Sequence, residues 1–383
     1  MLNQDQQKAA EQLVEFLGSS AKEFCLTGQA GTGKTYMLYS ILADHAVYCA
    51  TTNKAAAVLR VLTGTADTIH SFLSLTVKND FNTGHTFLVR NPRAPKIHNR
   101  VIVIDEASMI DKELYGIIRQ MCDGSKIIYV GDDAQLPPVQ SGSFSVFKLD
   151  LPTASLNQVM RSIDAPAITE LSTALRAAVF NGHNLAISER PPTITNLCGT
   201  DAFIKINKMV KEDQWHNCVL LSFTNARATE ATGVIRGAAN KPIDLLAGDS
   251  VIVNSAFQTD QGWIPTDSIL KIERVFPIEN TNDLILVETD SGTFITYRDN
   301  SKLQKDISAA AAVKNWNEYF RLKESYIDLR HAEALTIHKS QGSTFDIVFV
   351  DLGSLAMCRV PDDRRRLLYV ACSRARKQLY LVK

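Results

Sequence analysis

The sequence predicts an α/β fold on three observations. A phosphate-binding pattern lies between a short apolar strand and an amphipathic helix, a second apolar strand ends in two carboxylates, and short alternating runs between Leu245 and Tyr297 read as a small antiparallel unit. At 383 residues the chain exceeds one ordinary core, so two nucleotide-fold cores, or one plus additions, are expected. Hydrophobic residues at 45% and charged residues at 21% exclude a disordered or membrane-spanning chain. With no apolar run of spanning length and no signal-peptide layout at Met1–Gln7, the protein is expected to stay cytoplasmic, away from membranes. Lys+Arg and Asp+Glu balance at 41 each, so only local arrangement can point to a nucleic-acid partner. Seven scattered cysteines without C-x-x-C spacing suggest neither a zinc site nor a disulfide framework.

Leu2 to Leu17 predicts an opening helix capped at Asn3, and within it Gln6 either reads an adenine edge with its amide or is a surface glutamine. Phe24–Thr27 then predicts a buried strand, and Gly28-Gln29-Ala30-Gly31-Thr32-Gly33-Lys34-Thr35 fills every slot of G-x-x-x-x-G-K-[ST]. Glycines let backbone N–H groups wrap phosphates, Lys34 reaches the outer phosphates, and Thr35 holds Mg²⁺. The strand Ala46–Ala50 ends at Thr52, Asn53 and Lys54, donors for a sugar-phosphate backbone or equally a capped helix start. Leu75–Val77 and Thr86–Val89 flank Asn82-Thr83-Gly84, a hairpin whose tip residue is expected to be Phe87, either a wedge against a base pair or a packing residue.

Val101–Ile104 ends in Asp105 and Glu106, which suit metal binding and activation of an attacking water, although such a pair can also cap a helix. The strand Lys126–Val130 leads to Gln135, placed for a γ-phosphate or the attacking water, and to the stiff pair Pro137 and Pro138. Arg161 and Arg374 are candidate fingers for transition-state charge, against a surface basic cluster of Arg374 with Arg364, Arg365 and Arg366. A second α/β run is expected from Asp164, with a helix over Ala167–Phe180 and strands at Cys218–Phe223, Ile347–Asp351 and Leu379–Val382. No second phosphate loop follows any of them.

In order, Gly28 to Thr35, Asp105-Glu106, Gly131 to Gln135, Phe223-Thr224-Asn225, Thr336 to Gly342 and Tyr369 to Arg374 resemble the motifs of superfamily 1 helicases. Thr68-Ile69-His70-Ser71, Arg161-Ser162 before Ala165-Pro166, and Ile337-His338-Lys339 before Gln341-Gly342 resemble the RecD and Dda branch, most closely the bacteriophage Dda-type helicases. The resemblance implies two RecA-like cores, 1–155 with an inserted β-hairpin pin at 76–98 and 156–383 with an SH3-like β-barrel and extension at 245–330. It implies ATP and Mg²⁺ at one cleft. Gln6 would meet adenine; Gly28, Ala30, Gly31, Thr32, Gly33, Lys34 and Thr35 the phosphates; Thr35 and Asp105 the metal; and Glu106, Gln135, Arg161, Gln341 and Arg374 the γ-phosphate and water. Single-stranded DNA would touch Thr52, Asn53, Lys54, His70, Phe87, Pro137, Pro138, Thr224, Asn225, His338 and Thr344. The implied activity is an ATP-dependent DNA helicase moving 5′ to 3′ and opening forked or tailed duplexes, or alternatively a translocase that displaces bound proteins. A single-strand-binding protein is a candidate partner, a monomer is expected, and a phage-encoded chain would act in the host cytoplasm; RNA is left open because backbone contacts do not exclude a 2′-OH.

Overall fold

Six parallel strands form the sheet that carries the phosphate loop, in the order Asp67–Thr68, Ala46–Ala50, Val101–Asp105, Lys126–Gly131, Glu23–Gly28 and Thr153–Leu156. A parallel sheet must be covered on both faces, which is why these strands read as continuous apolar runs. Leu13 and Phe16 of the helix Gln4–Gly18 and Met37 and Leu38 of the helix Lys34–Leu42 pack on Phe24, Leu26, Ile128 and Val130 in one core. The opening helix begins where expected: Asn3 accepts from the Gln6 N–H at 2.8 Å, and Asn3 N donates to Gln6 Oε1 at 3.1 Å.

The computed structural model describes residues 2–94, 96–137, 144–160, 165–212, 214–215, 217–260 and 262–383. It divides into two compact units, one of Met1–Leu75, Arg90–Cys198 and Ser340–Lys383, the other of Thr76–Val89 and Gly199–Lys339. The expected division at 155/156 follows the order of the motifs; by packing, residues 156–198 and 340–383 group with the phosphate-loop sheet. Buried polar ties explain this, because Asp132 at the end of a first-sheet strand accepts from Arg176 and Tyr369. The first unit also holds the parallel strands Phe345–Asp351, Ala375–Val382 and Ile194–Leu197, covered by the helices Pro166–Asn181 and Pro361–Cys372.

The second unit contains the parallel pair Cys218–Ser222 and Ala334–Thr336 with the helices Gly199–Lys211 and Asn225–Ala238. It also holds an antiparallel five-stranded sheet ordered Gly292–Tyr297, Leu284–Thr289, Ile269–Pro277, Ser250–Val253 and Leu329–His331. Val251, Val253, Ile272, Ile285, Val287 and Phe294 form its core. Ile327 N donates to Ile295 O at 3.1 Å and Thr296 Oγ1 to Ile327 O at 2.6 Å, tying the segment before the last strand back to the first. The helices Asn300–Ala312 and Trp316–Ser325 intervene.

The hairpin is Leu75–Asn79 and Thr86–Arg90, shorter than the expected 76–98. Its turn closes through Asp80 N to His85 O at 2.8 Å, which puts Phe87 on the second strand rather than at the tip. Phe81 occupies the turn and packs edge-on against Phe320 with centroids 5.0 Å apart. Among the described residues no helix is long and apolar enough to cross a membrane. Among the described residues no cysteine forms a disulfide, and six of the seven are buried.

Candidate nucleotide site and nucleic-acid interface

The phosphate loop is held by close approaches that only glycine allows. A Cβ on Gly28 would lie 2.5 Å from the Leu156 carbonyl oxygen, and one on Gly33, whose φ is +79°, would lie 2.6 Å from Gln6 Nε2. Thr32 is fully buried and its hydroxyl donates to Gln29 O at 3.0 Å. Lys34 Nζ, at the start of the following helix, donates to Gly28 O at 2.6 Å and Gln29 O at 3.0 Å. An ammonium has three donors, so one remains for a phosphate oxygen. Gln6, only 4% exposed, donates Nε2 to Thr32 O at 3.1 Å while its Oε1 serves the cap at Asn3. It is neither a surface glutamine nor a free amide; it tethers the opening helix to the loop, with one amide hydrogen left.

Asp105 ends its strand beside the loop, and Thr35 Oγ1 donates to Asp105 Oδ2 at 3.2 Å. Asp105 Oδ1 also accepts from Glu106 N at 2.8 Å. Glu106 sits in the left-handed region at φ 52°, ψ 39°, a conformation that costs a non-glycine residue roughly 1–3 kcal/mol and commonly marks a working site. Thr51 holds it there, its hydroxyl donating to Glu106 O at 2.9 Å. Burial raises the Glu106 carboxyl to about 7, aided by Asp105 and opposed by Arg374 and Lys34. Burial likewise raises Asp105, against the pull of Lys34.

Arg374 is 4% exposed, not part of a surface cluster. It donates to Val370 O at 3.1 Å, Ser343 O at 3.3 Å and Ser373 Oγ at 3.1 Å, and burial lowers its pKa against the pull of Glu106. Gln341 Nε2 donates to Gln135 Oε1 at 3.4 Å, bringing two predicted γ-phosphate ligands side by side. Four residues that sequence reasoning missed position this loop. Arg366 donates to Asp133 O at 2.7 Å and Gln135 O at 3.0 Å, so it too leaves the supposed basic cluster. Asp132 is 2% exposed and accepts from Arg176 Nε at 3.2 Å and from the Tyr369 hydroxyl, while Arg176 also pairs with Asp133. The available signal was helical spacing, since Arg366 and Tyr369 lie three apart on one face.

Among the nucleic-acid candidates, Thr52 and Thr224 are helix caps, accepting from Ala55 N at 3.2 Å and Arg227 N at 3.3 Å. Asn53, Asn225 and Thr344 are exposed, and Pro137 and His338 are half-buried. Lys54 Nζ donates to Ser343 Oγ at 2.6 Å. Burial pushes the His70 pKa down, against Asp111, so it stands as a neutral imidazole at neutral pH. Phe87 is 47% exposed on its strand. The hairpin is buttressed by the helix Trp316–Ser325: besides Phe81 on Phe320, Asn79 donates to Glu324 at 2.6 Å and Trp316 lies against Gly84. Pro138 and Arg161 lie outside the described residues.

Family models match at residues 1–188, described as an AAA domain, and at residues 331–382, described as a UvrD-like helicase C-terminal domain. The ATP-dependent DNA helicase Dda of Enterobacteria phage T4 is 24% identical over 445 aligned positions, covering 100% of this chain and 99% of that protein. The ATP-dependent RecD2 DNA helicase of Deinococcus radiodurans is 24% identical over 93% of this chain, which spans 46% of that protein. A solved structure titled for DNA unwinding at forked double-stranded DNA by two coordinating Pif1 helicases shares the fold, with TM-score 0.50 and 18% identity over 100% of this chain and 92% of that one. With its motifs in order, its parallel sheets flanked by helices and a full-length relative in Dda, the chain is similar along its whole length to the superfamily 1 helicases of the Dda and RecD branch.

Proposed function

We propose that this protein is an ATP-dependent DNA helicase that moves 5′ to 3′ along single-stranded DNA and separates duplex strands. One observation carries the reading: Lys34, Asp105 and Glu106 from the first third of the chain share a single charge cluster with Arg374 from its last ten residues. Groups far apart in sequence that meet at one phosphate loop let hydrolysis there change how distant segments hold each other.

Thr35 and Asp105 fit Mg²⁺. Their oxygens converge at 3.2 Å, and although no described group of three His, Cys, Asp or Glu forms a protein cage, Mg²⁺ needs only one or two such ligands plus phosphate oxygens. The ion, when bound, supplies charge neutralisation at the phosphates. Glu106 orients and deprotonates the attacking water, Gln135 and Gln341 hold the γ-phosphate end, and Lys34 and Arg374 stabilise its developing charge, with Arg161 as a second finger. Gln6 retains a donor for adenine.

Residues 1–155 act as one RecA-like core and 156–383 as the other; the inserted segment 245–330 is a small SH3-like clamp, a reading supported by the tie of the segment before its last strand back to the first. Thr52, Asn53, Lys54, His70, Pro137, Pro138, Thr224, Asn225, His338 and Thr344 grip the single strand mainly through its backbone, so the grip tolerates any sequence and weakens with salt. The braced hairpin, with Phe81 and Phe87, parts the duplex. The chain works as a monomer, with a single-strand-binding protein at the fork.

The deciding experiment measures ATP turnover with and without single-stranded DNA, and unwinding of 5′-tailed and 3′-tailed duplexes. Stimulated turnover with 5′-tailed unwinding, both lost in Lys34→Ala, is expected; unwinding that survives Lys34→Ala refutes the proposal. The place of Phe87 on the second strand rather than at the tip favours one second reading, a translocase that displaces bound protein and scarcely opens duplex. Stimulated turnover without unwinding of either duplex would select it.

A further inference from the structure

The turn at residues 340–344 makes three side-chain links within the first unit. Gln341 reaches Gln135 at 3.4 Å, the Ser343 hydroxyl accepts from Lys54 Nζ at 2.6 Å, and the Ser343 carbonyl accepts from Arg374 Nη1 at 3.3 Å. Ser343 thus holds one cation of the candidate DNA interface through its side chain and one cation of the ATP site through its main chain. The turn is tight, with Ser343 N donating to Ser340 O at 3.0 Å and Gly342 at φ +71°. Its main chain cannot shift at one end without the other.

The two links differ in strength. The Lys54 contact is short and charge-assisted, whereas the Arg374 contact is long, and Arg374 keeps other donors on Val370 and Ser373. A nucleic-acid phosphate outcompetes a neutral hydroxyl for an ammonium, because both partners are then charged. Lysine's flexible stem lets the head group swing from one to the other.

We propose that Ser343 is a positioning residue that reports occupation of Lys54 by a DNA phosphate to Arg374. With Lys54 on the hydroxyl, the turn is pinned and its carbonyl retains Arg374. When a phosphate takes Lys54, the turn relaxes, the 3.3 Å bond is the first to open, and Arg374 is freed toward the γ-phosphate. This coupling rests on the proposed roles of Lys54 and Arg374, and it deepens that reading by naming the link through which DNA would stimulate hydrolysis.

The test compares wild type, Ser343→Ala, Ser343→Thr, Lys54→Met and the Lys54→Met/Ser343→Ala double variant of the full chain. The readouts are ATP turnover with and without oligothymidylate, and thermal melting. In Ser343→Ala the turn is already unpinned, so basal turnover rises and the stimulated-to-basal ratio falls by roughly 5-fold or more, the lower end of usual coupling energies. Ser343→Thr keeps the hydroxyl and restores the ratio, which a merely structural role for Ser343 would not require. At saturating oligothymidylate the double variant is no worse than Lys54→Met alone, since both have lost the same link. Where alanine fails to fold, Ser343→Gly beside Gly342 serves instead. A wild-type ratio in Ser343→Ala, or losses that add in the double variant, overturns the coupling alone. A wild-type protein that oligothymidylate does not stimulate overturns the helicase reading with it.

Discussion

Gly28 and Gly33 face different obstacles, and the difference predicts different consequences of adding one methyl group. At Gly28 the neighbour is the Leu156 backbone carbonyl at 2.5 Å, fixed in the sheet, so Gly28→Ala should destabilise the protein by about 1–3 kcal/mol in urea unfolding. At Gly33 the neighbour is the end of the Gln6 side chain at 2.6 Å. Gly33→Ala should therefore lose nucleotide affinity, and adding Gln6→Ala should recover part of the stability cost, leaving only the strain of a positive φ. Asp132 is a third case at this scale. Asp132→Ala leaves Arg176, whose side chain is 15% exposed, with Asp133 as its remaining carboxylate and takes the acceptor from the buried Tyr369 hydroxyl, so it should cost about 1–3 kcal/mol, measured by the same unfolding curves. The phosphate-loop residues were legible in the sequence because their roles depend on backbone shape within eight consecutive positions. Asp132, Arg176 and Tyr369 were not, because their pairing depends on partners up to 237 residues apart.

At the scale of elements, the hairpin depends on the helix that braces it. Phe81→Ala removes the ring packed on Phe320, and Gly84→Ala would put a Cβ 2.4 Å from the Trp316 ring. Both should reduce strand separation while DNA-stimulated ATP turnover is retained, and Phe87→Ala should reduce it only if that exposed ring meets a base. The sequence located both strands and the Asn82-Thr83-Gly84 turn but put the wrong aromatic at the tip, since period-2 alternation does not say where a strand stops. A second tie joins the helix Asn225–Ala238 to the antiparallel sheet, where Arg236 donates to Asp249 at 2.8 Å and to Glu333 at 3.1 Å. Burial raises the Asp249 carboxyl, but the hydrogen bonds from Arg236 and Leu246 N and the Arg236 charge outweigh it and hold the pKa below the usual value. A depressed folded pKa gives stability that is complete above the unfolded value, about 3.9, and is lost as pH falls through the folded one. The melting temperature of the wild type should thus fall below about pH 4 by more than that of Asp249→Asn, which lacks this titration.

For the molecule as a whole, the proposed backbone grip predicts a salt response. Single-strand affinity should fall linearly on a log–log plot with salt, and Lys54→Ala should reduce the slope by about 0.7, the share of one phosphate contact. A flat response in a binding titration would remove the grip. The packing units also bear on how the chain is read: the expected boundary at 155/156 came from motif order, yet residues 340–383 pack with the phosphate-loop sheet. Motif order reports which functions follow one another along the chain. It says nothing of which segments bury surface together.

The sequence by itself determined the phosphate loop, the Asp105-Glu106 strand end, the alternation of strands and helices and the likeness to helicases, because each is written in local spacing or in an ordered run of short motifs. Only the tertiary structure decided that Gln6 is a tether, that Arg374 is buried and Arg366 is half-buried on the Asp133 and Gln135 carbonyls rather than both lying in a surface cluster, and that Ser343 stands between Lys54 and Arg374. Burial and pairing are properties of where distant segments meet. A residue type carries no record of that until the chain has folded.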